Sequence, residues 1–297
     1  MGAPIFIAGA TATGKSEVAM EIARRIKGEI ISVDSMQVYQ EMDMGTAKPS
    51  PEHRKEIPHH LIDCITLKET YNAARFVREA EGKIRETESP IFCGGTGLYF
   101  QAWTEGLGDA PPADFNIRKE LEETPKEKLL EELEKKDPET YKTIDKNNPR
   151  RIFRAVEVIR ITGKGYSQQR AKWEQRAPKN FFLLGRRAEK LRARIEARVE
   201  RMFKEGLVEE TIKLQTPLEK NRTAQQALGY KQVMAHLKGE RNLPDTEELV
   251  KSLTWQYARR QKTWFNKILG AKKILIAEEE CPKETADRIL EAKERAS

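Results

Sequence analysis

Short apolar runs alternate with helix-period stripes along the first hundred residues. Ile5-Phe6-Ile7-Ala8 is one run. After a polar gap, Val18, Ala19, Ile22, Ala23 and Ile26 recur at helical spacing until Gly28. A second run covers Glu29 to Val33 and ends in Asp34. Asn72 stands where it can cap a helix whose apolar face is Ala73, Phe76, Val77, Ala80 and Ile84. Pro90-Ile91-Phe92-Cys93 is a third run, and a short strand is expected near Leu61 to Cys64. Brief, almost unbroken apolar runs separated by amphipathic helices predict parallel strands covered on both faces.

The pattern changes after Gly106. A loop rich in glycine and proline reaches Asn116, and from Ile117 to Arg176 nearly every stripe has a helical period. Thr124-Pro125-Lys126-Glu127 reads as a capping box with proline at the first helical position. Leu129, Leu130 and Leu133 follow on one face. Ile152, Val156 and Ile159 form another stripe, stopped by Gly163. Asn180 to Gly185 reads as a strand again, so the helical block is inserted into the α/β domain. Leu191, Ile195, Val199, Met202 and Phe203 mark a long helix with Arg192, Arg194, Arg198 and Arg201 on its outer surface. Thr246 is expected to cap a further helix, and Lys273 to Ala277 is a last strand. The pattern divides the chain into a discontinuous α/β core, 1–116 with 180–297, and a helical insertion, 117–179.

Composition adds a little. Of 297 residues 38% are hydrophobic and 34% charged, and 54 Lys+Arg against 47 Asp+Glu leave a net +7. That balance allows a polyanionic partner without requiring one. Within the insertion, Lys164, Gln168, Gln169, Arg170, Lys172 and Arg176 surround Tyr166 and Trp173. Such interleaving suits a nucleic-acid strand, with cations for phosphates and rings for stacking, and equally a solvated helical face. Trp255 to Lys267 has the same mixture. Three separated cysteines suit a reducing compartment, and the adjacent His59 and His60 have no further ligands at metal-site spacing, which argues against zinc. No run has the length of a membrane span and no leader precedes the first strand, which predicts a cytoplasmic enzyme.

Chemistry enters at the first strand's end. Gly9-Ala10-Thr11-Ala12-Thr13-Gly14-Lys15-Ser16 fits G-x-x-x-x-G-K-[ST], between a strand and a helix, as a phosphate cradle requires. Its amides and helix start attract anions, Lys15 adds a charge, and Ser16 can hold Mg²⁺. The expected fold class is therefore α/β, a P-loop NTPase-like parallel sheet core with an inserted all-helical domain. Ligands of such sheets sit beyond the strands' carboxyl ends. Asp34 and Thr96, the latter within Gly94-Gly95-Thr96-Gly97, occupy two more such ends and should face the same crevice. On these residues alone a small-molecule P-loop kinase and an RNA-binding ATPase module remain open beside other diphosphate chemistry.

The ordered set of motifs resembles the tRNA dimethylallyltransferases over nearly the whole chain. It comprises the P-loop, Asp34-Ser35-Met36-Gln37-Val38-Tyr39, Gly45-Thr46-Ala47-Lys48-Pro49, His59-His60-Leu61-Ile62-Asp63 and Gly94-Gly95-Thr96-Gly97-Leu98-Tyr99. Asn148-Pro149-Arg150-Arg151, Gly229-Tyr230-Lys231 and Arg260-Gln261-Lys262-Thr263-Trp264-Phe265 complete it. Ala10 departs from the family's usual proline, and Phe100 follows Leu98-Tyr99. The resemblance implies transfer of a dimethylallyl group from dimethylallyl diphosphate to the adenosine 3′ to the anticodon of tRNA. It implies that Gly9 to Ser16 hold the diphosphate with Mg²⁺ at Ser16, that Asp34 takes the amine proton, and that Thr96 hydrogen-bonds near the bridging oxygen or the base. Contacts to the tRNA anticodon stem-loop are implied at Asp34, Ser35, Met36, Gln37, Thr96, Arg118, Gln168, Gln169, Arg170, Ala171, Lys172, Gly229, Tyr230 and Lys231. A monomer is expected.

Overall fold

The computed structural model describes residues 2–295. Six strands form one all-parallel sheet: β1 (Ile5–Gly9), β2 (Glu29–Val33), β3 (His59–His60), β4 (Pro90–Gly94), β5 (Phe181–Gly185) and β6 (Lys272–Leu275). Their order is β3-β2-β4-β1-β5-β6. β1 and β4 are buried throughout, as strands covered on both faces must be. One face packs Phe6 stacked on Phe92 and Phe181, with Phe76, Phe100 and Phe265 in the same apolar cluster. The other packs Ile5, Ile7 and Ile91 against Val18 and Ile22 of the helix Lys15–Ile26.

The order matters for the site. β4 runs between β1 and β2, with Ile5 beside Ile91 and Ile31 beside Phe92. The ends of β1, β4 and β2 are therefore adjacent, and each is followed by one of the expected site segments. The crossover from β1 to β2 skips a position that β4 later fills, which opens a crevice at the strands' carboxyl ends.

The chain divides into two compact units. One comprises the described residues up to Thr104 and those from Gln175 onward; the other is Glu105–Glu174. These boundaries lie outside the expected 117 and before the expected 179. Gly108 bridges Arg170, and Trp173 donates from its indole to the Gly106 carbonyl at 2.8 Å, so the glycine-proline loop closes onto the helical unit's last residues. Ala177 instead donates to the Leu269 carbonyl of the sheet unit at 2.8 Å. The helical unit has its own core of Leu121, Leu129, Leu133, Ile152, Val156 and Ile159.

Three local expectations are corrected. The strand expected near Leu61–Cys64 is the two-residue His59–His60, because Leu61 and Asp63 take positive φ (60° and 53°) and turn the chain away. The helix Leu243–Phe265 starts at Asn242, whose side chain accepts the Asp245 N–H at 2.8 Å; Thr246 lies inside the helix. Thr124 ends the helix Phe115–Glu123, its hydroxyl donating to the Glu120 carbonyl, and does not cap Lys126–Lys136.

Candidate active site

The loop after β1 is shaped by hydrogen bonds to its own carbonyls. Lys15 Nζ and Thr13 Oγ1 both donate to the Ala10 carbonyl, at 2.6 and 2.9 Å. Arg194 donates to the Ala12 carbonyl at 2.9 Å and Arg186 to that of Thr13 at 3.0 Å. In a trans peptide the C=O and the following N–H point in opposite directions. The Thr13 and Gly14 amides therefore face away from those guanidinium groups. The helix Lys15–Ile26 begins at Gly14, in the left-handed region with φ 99°, and no side chain caps it. Its first amides and positive dipole end are left for an anion. Ala10 takes proline's place within an apolar cluster with Leu191, Ile195 and Val199.

The Thr11 amide is the exception. The Ala10 carbonyl faces Lys15, so the Thr11 N–H points the other way, and it donates to Gln261 Oε1 at 2.8 Å. Of the loop's residues, Thr11 still reaches the crevice with its side chain, where Arg198 donates to its hydroxyl at 3.1 Å.

A cavity of about 370 Å³ lies beyond the strand ends, wholly within the sheet unit. Lys15, Ser16 and Arg198 line one part of it, and Asp34 lines it too. Met36, Met202, Leu228 and Val250 give it an apolar part. Oδ1 of Asp34 accepts the Met36 and Gln37 amides at 2.8 and 3.3 Å, so the carboxylate closes its own turn. No hydrogen bond to Oδ2 is found among the described residues. Burial pushes the Lys15 amine down to about 8, and the Arg198 charge acts in the same direction while Cys93 and Asp34 oppose it. Burial also lowers Arg198 and raises the Tyr257 phenol, the latter helped by the Asp34 charge. Three cations (Lys15, Arg198 and Arg260), a single carboxylate and an apolar wall suit a ligand with an anionic end and a greasy one.

The Lys15 value gives a pH dependence. An anion binds the protonated amine, so kcat/KM for a diphosphate ligand should hold level from neutrality to about pH 8 and fall by about tenfold per unit above it. Lys15→Arg should keep the profile flat past that point, because a guanidinium does not titrate there. A wild-type profile without an alkaline limb would contradict the assignment; initial rates at limiting donor measure it.

The other expected residues are distributed unequally. Thr96 does not line the cavity: its Oγ1 accepts the Ser35 amide at 3.1 Å and its own amide donates to the Val33 carbonyl at 3.1 Å, fastening the end of β4 to that of β2. Ser35, Met36, Gln37 and Gly229 line it. The Gln37 amide, however, is spent on Ser32 and on the Thr46 and Ala47 carbonyls. Tyr230 is fully buried, with its hydroxyl bonded to Glu210 and accepting the Gly45 amide at 3.2 Å. It braces the loop that carries Gly45, Thr46 and Ala47 rather than offering a surface. Lys231 is exposed and donates to Gln226 at 2.9 Å.

In the helical unit, Arg118 and Arg154 both bond Glu157, a completely buried carboxylate, at 2.7 Å. Arg118 thereby neutralises an interior charge, although half of its side chain is exposed. Gln169 is buried and its amide donates to Thr162 at 2.8 Å and to the Lys164 carbonyl at 3.1 Å. Gln168, Arg170 and Lys172 are exposed, Ala171 partly so. Arg198, Tyr257 and Gln261 line the cavity without having been singled out as its residues. Their signal was spacing: Arg194 and Arg198, and Tyr257 and Gln261, are each four apart on one helix face.

Residues 37–268 match the family model described as IPP transferase. A tRNA dimethylallyltransferase of Acetivibrio thermocellus is 43% identical over 277 residues, covering 89% of this chain and 88% of the relative. The tRNA isopentenylpyrophosphate transferase of Staphylococcus epidermidis superposes with a TM-score of 0.70 at 33% identity, covering 99% of both chains. A eukaryotic dimethylallyltransferase captured acting on tRNA superposes at 0.75 with 26% identity, over 99% of this chain and 78% of that one. A match across most of the chain, with relatives this similar end to end, makes the chain a member of the IPP transferase family.

Proposed function

We propose that this chain moves a dimethylallyl group from dimethylallyl diphosphate to the exocyclic amine of the adenosine 3′ to the anticodon in tRNA. The observation that carries this is the single cavity in which Lys15, Ser16 and Arg198 meet the Asp34 carboxylate beside an apolar wall. The cations and the Thr13 and Gly14 amides hold the diphosphate, and the apolar wall takes the prenyl chain. As the allylic C–O bond breaks, charge accumulates on the leaving diphosphate, where fixed cations and amides stabilise it most. The amine nitrogen forms the new bond to that carbon. Its lone pair is spent, its proton becomes acidic, and Asp34 accepts it. The adenine has to leave its stack to reach the crevice.

Among the described residues no three His, Cys, Asp or Glu side chains cluster to hold a metal. That suits Mg²⁺, which is commonly held by a few protein groups with substrate phosphates and water. Ser16 would be its protein ligand, and the ion would neutralise charge on the diphosphate. Among the described residues no helix is long and apolar enough to cross a membrane. We take the enzyme to act in the cytoplasm as a monomer.

The test is one incubation of protein, Mg²⁺ and an unmodified anticodon stem-loop RNA with labelled dimethylallyl diphosphate or labelled ATP. Prenyl label is expected in the RNA; phosphate transfer from ATP without prenylation would refute the assignment. Arg170 and Lys172 are exposed on the helical unit and are assigned to phosphates of the RNA. Reversing both to Glu should weaken RNA binding and reduce the slope of log K against log salt by about one to two units. An unchanged slope in filter-binding titrations would remove them from the interface.

A further inference from the structure

Gln261 is 6% exposed, and both ends of its amide are engaged. Oε1 accepts the Thr11 amide at 2.8 Å and Nε2 donates to the Gly95 carbonyl at 2.9 Å. The contact to Gly95 depends on that residue having no side chain. A Cβ at 95 would lie 2.3 Å from Gln261 Nε2. Gly95 precedes Thr96, whose Oγ1 accepts the amide of Ser35, the residue after Asp34. An unbroken run of hydrogen bonds and covalent bonds thus joins the P-loop, through Gln261 and the end of β4, to the carboxylate.

We propose that Gln261 is a positioning residue: it sets the distance between the diphosphate cradle and the proton-accepting carboxylate. The role rests on the transfer reaction proposed above. Without Gln261 the Thr11 N–H, turned away from Lys15 by the Lys15 contact to Ala10, loses its acceptor. The loop then has to twist to solvate that amide. The acceptor would still bind and the donor would bind less tightly, and the two would be out of alignment. A displacement on the order of 1 Å costs about a hundredfold in a reaction that depends on approach geometry. The strength of RNA binding is set elsewhere.

Three variants test this. Gln261→Leu removes both bonds. Gln261→Glu keeps an acceptor for Thr11 and sets a second oxygen against the Gly95 carbonyl. Gly95→Ala pushes on the same amide from the other side. Each should lower kcat about ten- to a hundredfold. Each should also weaken binding of inorganic diphosphate, read by calorimetry, while affinity for the stem-loop RNA holds. Because Gly95→Ala and Gln261→Leu disrupt one contact, the double variant should be no slower than the worse single one. Effects that multiply, or wild-type kcat and diphosphate affinity in the Gln261 variants, overturn the proposal. So does equal loss of RNA and diphosphate affinity with a lowered melting temperature, which marks a purely structural defect. If Gln261→Leu does not fold, Gln261→Glu and Gly95→Ala decide by the same kcat and diphosphate readouts. Absence of transfer by the wild-type chain refutes the reaction itself; transfer by the wild type with unaffected variants refutes only the positioning role.

Discussion

Asp34→Ala is expected to slow turnover by about two to four decades, the usual cost of losing a positioned base. Two functions of the carboxylate have to be separated in that result. Oδ1 holds the Met36 and Gln37 amides, so alanine also loosens the turn that carries Ser35 to Gln37 along the cavity wall. Asp34→Asn resolves this. Its amide oxygen can keep both backbone bonds, yet it takes up no proton at neutral pH. If proton removal is the main contribution, Asn and Ala fall together under single-turnover conditions, and both still bind the RNA. If turn closure is the main contribution, Asn remains near wild type and Asp34 leaves the chemistry. An unaffected Ala variant would remove it from both.

Lys15→Met is the second large effect. It keeps the length of the side chain and removes the charge facing the leaving diphosphate. The expected loss in kcat is about a hundred- to a thousandfold, comparable with removing one oxyanion donor. Donor KM and the affinity for inorganic diphosphate should worsen as well, because the ground state also carries that charge. RNA affinity should stay unchanged, since among the described residues the hydrogen bond Lys15 makes is to the Ala10 carbonyl of its own loop. Arg198 remains in the variant and is the reason activity should not vanish. Kinetics at saturating RNA with varied donor distinguish the outcomes, and a Lys15→Met enzyme with wild-type kcat would refute the cradle.

How much of this was readable from the chain depended on whether a residue's partner is near in sequence. The P-loop was, because strand, fixed glycines and helix are contiguous and their geometry is local. Asp34 was, because a strand end in a parallel sheet has one side on which ligands sit. The insertion of β4 between β1 and β2 was not visible, although it brings the ends of all three strands together. Tyr230 was expected at the RNA from the resemblance, and Gln261 was read only as part of the mixed basic and aromatic segment Trp255 to Lys267. Tyr230 is buried against Gly45, and Gln261 bonds Thr11, an amide 250 positions away. Which face of Leu243–Phe265 turns inward is decided by its packing: Ala258, Gln261 and Phe265 face in, and Arg259, Lys262 and Thr263 face out. Arg118 was legible as a cation but not as the partner of Glu157, since nothing in the local pattern says that this glutamate is buried. Thr96 was placed at the correct strand end, but the contact its hydroxyl makes to the Ser35 amide, 61 positions away, was not visible.

In the proposed reaction one cavity of the sheet unit seats the diphosphate and the adenine together, with Asp34 beside the amine. A structure of the protein with an anticodon stem-loop RNA and a sulfur-bridged, non-transferable analogue of dimethylallyl diphosphate tests it most directly. The diphosphate is expected on the Thr13 to Ser16 backbone, beside Lys15 and Arg198, with the everted adenine's amine within hydrogen-bond reach of Asp34. Ligands in separate cavities, or an amine turned away from that carboxylate, would contradict it.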